Sequence, residues 1–292
     1  MLSKIKNIST KLIVYALLID IAFIYLYPYL YILTTSLMSS DDLVDALVQW
    51  IPRGFAIGNY VTSFQMMEYP KYFINTSMLA LVPTLGHVVS CSLAGYSFAR
   101  FKYPGKEILF ILAIFTLIIP PQTIIIPQAM QYARFNWMDT YFPLILPAFF
   151  GMGLKGALYI FIFRQYFRTL PSNLEDAARI DGCGNLRAFV YVILPVSKAP
   201  VMVVSVLSIV WRWNDYFEPM VYLYTREKFS LPMILSGLWS AYDTFTGGAA
   251  LSSFYWPLII ASCMLMLLPP LIFYIIIQRG FVQGIERVGL VE

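Results

Sequence analysis

The residues able to do chemistry are few and scattered. His87 is the single histidine of the 292-residue chain. No Ser-His-Asp set, carboxylate pair or metal-type cluster accompanies it, so it is assigned to packing or hydrogen bonding inside a span, and no catalytic or metal site is expected. Cys91, Cys183 and Cys263 lack C-x-x-C or Cys/His spacing, which argues against a zinc site or disulfide framework. They read as small apolar fillers. No G-x-x-x-x-G-K-[ST] is present. Gly105-Lys106 and Leu154-Lys155-Gly156 lack its spacing, so the chain has no loop to cradle nucleotide phosphates.

The remaining chemistry is charge in apolar surroundings. Asp20, Lys155, Arg212 with Asp215, and Glu218 all fall within apolar runs. A charged side chain there costs about 2.5–3.5 kcal/mol at a helix centre on insertion scales. Arg212 and Asp215 are spaced i, i+3 and can pair along one helix. A structural ion pair is the favoured reading, and a gate facing a wet route is the alternative. Lys155 sits among Gly151, Gly153 and Gly156, which permit close helix packing, and its side chain is expected to snorkel. Asp20 is a candidate partner for either cation.

One charged stretch is different. Residues 174–195, LEDAARIDGCGNLRAFVYVILP, carry Glu175, Asp176, Arg179, Asp181 and Arg187 between two apolar runs. Ser172 and Glu175 have the S-x-x-E spacing of a capping box, which predicts a helix over about 173–181. Gly182 suits the left-handed residue that ends such a helix. Asn185 is the expected N-cap of a second helix. There Leu186, Phe189, Val190 and Ile193 make one apolar stripe and Pro195 closes it. The pattern reads as two short helices with a glycine elbow. Ala177 and Ala178 are expected to be exposed as a close-approach surface, flanked by acidic groups, for a partner. The competing reading is a plain solvated linker, which needs none of these signals.

The elements that must position these residues are membrane spans. The chain is 59% hydrophobic and 12% charged, with mean hydropathy +0.70, against about 25% charged residues in soluble domains. Six runs reach the roughly 20 apolar residues a bilayer core requires: about 12–37, 72–98, 108–128, 142–164, 199–223 and 254–278. Several contain Pro, tolerated where neighbouring helices satisfy the freed carbonyls. A β-barrel is excluded by the lack of period-2 alternation. The fold class is therefore all-α, a polytopic membrane protein with six transmembrane helices. The first run is too long for a cleavable leader and lacks a small-residue cleavage site, so it is expected to stay as an anchor. Lys4, Lys6, Lys11, Arg100, Lys102, Lys106, Arg164, Arg168, Arg179, Arg187, Lys198, Arg279 and Arg287 would lie on one side. Arg53, Lys71, Arg134, Arg226 and Lys228 would lie on the other. The positive-inside rule then puts both termini and the charged stretch in the cytoplasm.

The charged stretch resembles the EAA loop of ABC importer membrane subunits, E-A-A, three residues, G, nine residues, I-x-L-P. Asp176-Ala177-Ala178 stands for E-A-A, Gly182 follows at the right spacing, and Val192 stands for the Ile before Leu194-Pro195. NTSMLA (75–80), AGYSFARFKYPGK (94–106), IIPPQTIIIPQ (118–128) and VWRWNDYFEPMVYL (210–223) extend the likeness over nearly the whole chain. They resemble the carbohydrate branch, in particular the subunit type similar to the maltose-system G subunit, with the type I (MetI-like) permease fold.

The resemblance implies a permease subunit importing a sugar or oligosaccharide in a cell (inner) membrane. Its partners would be a second homologous permease subunit, a cytoplasmic ATPase dimer carrying ATP and Mg, and an extracytoplasmic solute-binding protein. Membrane lipid surrounds it, and no nucleic acid is involved. The chain itself would bind no cofactor and hydrolyse no ATP. ATPase coupling falls to Glu175, Asp176, Ala177, Ala178, Asp181, Gly182, Leu194 and Pro195. Sugar recognition needs hydrogen-bonding groups and flat apolar faces. Asn75, Gln122, Gln128, Trp211, Trp213, Asn214, Asp215 and Tyr216 supply those types, although edge aromatics are commonly belt anchors. Residues 1–71 would hold the first span and an outer segment, 72–279 the permease core with coupling loop 165–198, and 280–292 a cytoplasmic tail. The outer segment 38–70, with Asp41, Asp42, Asp45 and Trp50, reads as a short helix and loop. The segment 224–253, with Phe229, Pro232, Trp239, Tyr242 and Gly247-Gly248, would project toward the binding protein. The same machinery importing glycerol phosphate or a polyuronate-derived oligosaccharide is the alternative. A self-contained secondary transporter would instead carry repeated halves and a coupling-ion site.

Overall fold

The structure, a computed structural model, describes residues 2–245 and 255–289. Every regular element among them is helical. In chain order these are α1 (Leu2–Ser36), α2 (Ser40–Val44), α3 (Gly58–Met66), α4 (Tyr69–Arg100), α5 (Lys106–Phe115) and α6 (Pro121–Arg134). There follow α7 (Phe142–Ile145), a 3-10 turn (Leu146–Phe150), α8 (Gly156–Thr169), α9 (Asn173–Ile180), α10 (Asn185–Ala188) and a π-turn (Phe189–Ile193). The chain continues through α11 (Leu194–Val196), α12 (Lys198–Trp213), α13 (Phe217–Tyr222), a 3-10 turn (Arg226–Lys228), α14 (Leu231–Phe245) and α15 (Trp256–Gly289).

Among the described residues each of the six apolar runs is mainly helical, but only α1, α4 and α15 are continuous helices long and apolar enough to cross a bilayer. The other three runs are jointed, and the joints have local causes. The run 108–128 breaks over 116–120, between α5 and α6, and Pro121 opens α6 at a position that needs no N–H donor. The run 142–164 breaks at 151–155, where Gly151, Gly153 and Lys155 all have left-handed φ of 70°, 83° and 62°. These glycines therefore serve a turn as well as close packing. An added Cβ at Gly156 would stand 2.3 Å from the Gly151 carbonyl oxygen. The run 199–223 breaks at Asn214–Tyr216. The segment Asn185–Val196 meets α12 at a bend of 79°, located at Ser197. Pro195 does not close the preceding helix, because it occupies the first turn of α11, where a proline is tolerated.

The described chain forms two compact units. One comprises Met1–Tyr69 with Leu235–Leu268, and the other Pro70–Ile234 with Pro269–Glu292. In the first, Asn59 donates to the carbonyls of Ser36 and Met38, both at 2.9 Å, and the Ser36 and Tyr60 hydroxyls are 2.7 Å apart. Ser63 Oγ donates to Leu258 O at 2.8 Å. A true capping box occurs here: Ser39 Oγ accepts from Asp42 N–H, and the Asp42 carboxylate accepts from Ser39 N–H. The segment 38–70 thus holds two short helices, α2 and α3. The side chain of Asp20 is exposed on α1.

The second unit carries two apolar cores. Tyr96, Phe163, Phe167, Phe189, Ile193 and Val204 pack α4, α8, the π-turn and α12 together. Leu79, Ile125, Leu144, Tyr222 and Met233 join α4, α6, α7 and α13 to the start of α14. The α4–α8 contact is close because Gly95 has no side chain: a Cβ there would stand 2.6 Å from Phe163 Cβ. Gly247 and Gly248, and the side chains of Trp239 and Tyr242, lie outside the described residues.

Candidate functional site

The charged stretch folds as an elbowed hook. Gly182 has φ +77°. Cys183 N–H donates to Ala178 O at 2.8 Å and Gly182 N–H to Arg179 O at 3.0 Å, the paired bonds of a Schellman ending. The glycine elbow read from the sequence is therefore present, and α9 ends within a residue of its expected limit.

Both expected caps fail. Ser172 has helical backbone angles and no capping bond from its side chain. Gly184, not Asn185, occupies the N-cap of α10. Glu175 is buried and turned inward. Its Oε1 lies 2.9 Å from Arg100 Nε, with the two side chains 10% and 15% exposed. Arg100 Nη2 also donates to the carbonyl of Leu170. A long-range cation therefore takes the carboxylate that a local cap would have used.

The outward face differs from the expected one as well. Ala177 is exposed, but Ala178 is 4% exposed and packs inward. Asp176 and Asp181 remain outside, Asp176 within 3.8 Å of Arg179. The second-helix stripe divides: Phe189 and Ile193 are buried while Leu186 and Val190 are exposed. The π-turn causes this, since its wider winding breaks the 3.6-residue register. Leu194 is half-buried and Pro195 exposed. The hook thus presents Ala177, Ile180, Leu186, Val190 and Tyr191, with Ile180 87% exposed.

A second cluster lies in the jointed segments. Arg212 Nη1 is 2.8 Å from the Glu218 carboxylate and 3.3 Å from that of Asp215, and its side chain is 3% exposed. The i, i+3 pair is present, with Glu218 as a third and closer member. The Asn214–Tyr216 break brings Glu218 back toward Arg212. Lys155 Nζ lies 4.7 Å from the Trp211 ring centre, a cation–π contact. His87 is buried between Ser208 Oγ (Nδ1, 3.2 Å) and Met152 O (Nε2, 3.0 Å), so it ties α4 and α12 to the 151–155 joint. Its role is the hydrogen-bonding one expected.

Beside that joint opens a cavity of about 120 Å³. Its polar lining comes from Thr116, Gln128, Tyr132, Lys155, Glu218 and Tyr222, and Pro147, Met152 and Gly153 form a wall. Of the eight residues expected to recognise sugar, Gln128 alone lines the cavity, and the others are not brought together there. Asn75 donates to the carbonyls of Glu227 and Phe229, both at 2.9 Å, and so tethers the turn after α13. Trp213 is buried edge-on against Phe73. Asp215 belongs to the Arg212 cluster and Trp211 to Lys155. Gln122, Asn214 and Tyr216 are exposed. Tyr132 and Tyr222 were missed, although Gln128 and Tyr132 share a helix face at i, i+4.

The hook, the jointed spans and the apolar helices define a membrane component of a transport system. The chain belongs to the family of binding-protein-dependent transport system inner membrane components, which matches residues 91–287. Members of this family are membrane permease components and are not themselves catalytic. Among its relatives, the sn-glycerol-3-phosphate transport system permease protein UgpE of Pectobacterium atrosepticum is 31% identical over 78% of this chain and 75% of its own. The lactose transport system permease protein LacG of Rhizobium radiobacter is 26% identical over 97% and 98%. The arabinooligosaccharides transport system permease protein AraQ of Bacillus subtilis is 27% identical over 92% of both. A crystal structure of a bacterial ABC transporter involved in the import of the acidic polysaccharide alginate has a chain with the same fold. Its TM-score is 0.79 at 24% identity, covering 92% of this chain and 95% of that one.

Proposed function

We propose that this chain is the permease subunit of an ATP-driven importer for an uncharged sugar or oligosaccharide. The hook 173–196 docks on a separate cytoplasmic ATPase dimer, which carries the ATP and Mg. A second, homologous permease subunit completes the pathway, and an extracytoplasmic binding protein delivers the substrate. Both termini lie in the cytoplasm, and residues 72–279 form the permease core.

The observation that carries this reading is the hook's division of labour. Glu175 and Ala178 hold it to its own subunit, while Ala177, Ile180, Leu186, Val190 and Tyr191 are left facing outward. An exposed apolar face of this kind, on a rigid polar hairpin, suits a protein groove. The pathway chemistry favours a neutral polyhydroxylated solute over an anion. Arg212 is engaged by two carboxylates, and Lys155 is the one basic residue among the described residues lining the cavity. Gln128, Tyr132 and Tyr222, with Gln122, Trp211, Asn214 and Tyr216 nearby in sequence, supply the hydrogen bonds and flat faces a sugar needs. The relatives that import sn-glycerol-3-phosphate supply the anionic alternative.

The test is reconstitution in proteoliposomes. Uptake of a labelled neutral oligosaccharide is expected only when the chain, its permease partner, the ATPase, the binding protein and ATP are all present. Accumulation of a solute by this chain alone under an ion gradient would overturn the reading. Selective uptake of glycerol phosphate would overturn its substrate class.

A further inference from the structure

In the second unit, α4 runs unbroken from residue 70 to Arg100 while α5–α6, α7–α8 and α12–α13 are jointed. It is also tied at both ends, by an ion pair and a hydrogen bond at one and by three hydrogen bonds at the other. At one end Arg100 pairs with the hook through the Glu175 carboxylate and donates to the Leu170 carbonyl at the end of α8, just before the hook. At the other, Asn75 donates to the carbonyls of Glu227 and Phe229, and buried Thr76 Oγ1 accepts the Leu231 N–H at 2.8 Å. These two anchor points are 25 residues apart on one helix, about 37 Å at about 1.5 Å per residue. That exceeds the roughly 30 Å hydrocarbon thickness, so the helix is long enough to hold the two ties on opposite sides of a bilayer.

A jointed helix bends at its joint and loses a displacement applied at one end. A continuous helix with charged or paired contacts at each end passes it on. We infer that α4 is the mechanical link between the hook and the turn 226–231, with Arg100 and Asn75 as its terminal positioning residues. The inference rests on the reading that the hook docks an ATPase. It adds the route by which nucleotide state reaches the far surface. Arg100 is suited to its end because a guanidinium can set one nitrogen beside the Glu175 carboxylate while another donates to the Leu170 carbonyl, where a single ammonium cannot span both. Asn75 is suited to the other because its amide supplies two donors to two turn carbonyls a residue apart, those of Glu227 and Phe229.

The experiment uses the assembled complex of this chain, its permease partner and the ATPase. A nitroxide is placed at E227C in a C183S/C263S background, which removes the two partly exposed thiols and leaves the Glu227 carbonyl intact, and the probe added is Mg-ATP with vanadate. The spectrum of the unaltered connector is expected to change on nucleotide trapping. N75A and R100A each reduce that change at least fivefold while vanadate trapping and co-purification persist. R100K falls between, and N75A/R100A is no worse than the stronger single variant, as links in series require. Should R100A fail to assemble, R100K and its combination with N75A carry the same cycle. A label that stays silent while nucleotide is trapped overturns the connector and leaves the proposed function standing. So do single variants within twofold of the unaltered protein, or a double variant equal to the product of the singles. A complex in which the unaltered chain holds no ATPase overturns both.

Discussion

Arg212 lies closer to Glu218 than to its helical neighbour Asp215, at 2.8 Å against 3.3 Å. The cation is buried between two carboxylates, so its removal strands negative charge in an apolar setting. R212A is expected to destabilise the detergent-solubilised protein by about 3–5 kcal/mol, read as a large drop in thermal midpoint. The shorter contact is the stronger one, so E218Q should cost more than D215N. Equal effects, or a stable R212A, would show that the cluster is not structural.

The Gly182 elbow is a matter of backbone angle alone, since an added Cβ meets nothing within 4 Å. G182A should therefore cost about 1–2 kcal/mol, the left-handed penalty of an L-residue, and G182N less. A β-branched residue, G182V, should disconnect ATP hydrolysis from uptake while membrane insertion proceeds. Normal coupled uptake by G182V at normal protein levels would remove the elbow from the mechanism.

Ala177 and Ala178 are neighbours with opposite surroundings, and their variants should separate. A177D leaves folding unchanged but weakens association with the ATPase by roughly tenfold, about 1.4 kcal/mol. A178L overpacks a buried site and costs about 1–3 kcal/mol of stability. Co-purification and thermal unfolding measured on both variants check this, and a destabilised A177D would contradict the assigned faces.

Asp139 ties the turn after α13 to the loop after α6. It accepts from Lys228 Nζ at 2.8 Å, from the Thr225 hydroxyl, and from the Tyr224 and Thr225 N–H groups at 3.0 Å. The bonds from Lys228 and Thr225 hold its carboxyl well below the usual carboxylate range. A depressed folded-state pKa contributes stability fully above the unfolded value, about 3.9, which is lost only as pH falls through the lower folded value. Hydrogen exchange at Tyr224 and Thr225 should therefore keep its protection from pH 7 down to about pH 4, apart from the intrinsic pH dependence of exchange. D139N should lose protection at every pH. Loss of protection in the unaltered protein near pH 5–6 would contradict the assignment.

Close approach at Gly95 gives a further check. G95A sets a methyl 2.6 Å from Phe163 Cβ and 2.9 Å from the Arg164 backbone nitrogen, so α4 and α8 must move apart. A loss of about 1–3 kcal/mol is expected, visible as lower yield and midpoint. An unaffected G95A would mean that the two helices are not locked together.

What the sequence disclosed and what it hid divide along physical lines. The six apolar runs, the elbow at Gly182 and the Arg212–Asp215 pair were legible because each depends on near neighbours: hydropathy, a positive φ, an i, i+3 spacing. Glu175 was misassigned because its spacing from Ser172 fits a capping box equally well, and its partner Arg100 lies on another helix. The exposure of Val190 was hidden by the π-turn, which shifts the register without any residue that announces it. The joints were only half legible. Pro120-Pro121 and the glycines at 151 and 153 were visible, but nothing in the composition marks Lys155 as left-handed. The cavity gathers Tyr132 and Tyr222 from distant segments, and no local pattern could place them side by side.

The unequal build of the spans has a consequence for biogenesis. An unbroken apolar rod such as α1 or α4 can leave the translocation channel for lipid by itself, because nearly all of its main-chain groups between the ends are satisfied internally, the carbonyls freed by Pro28 in α1 and Pro83 in α4 being the exceptions. A jointed one releases amide and carbonyl groups at mid-depth and must wait for a neighbour to shelter them. Membrane integration should therefore be stepwise: glycosylation-site mapping of truncated nascent chains should find α4 fixed early, and the 142–169 and 198–222 segments stably placed only once both have been synthesised.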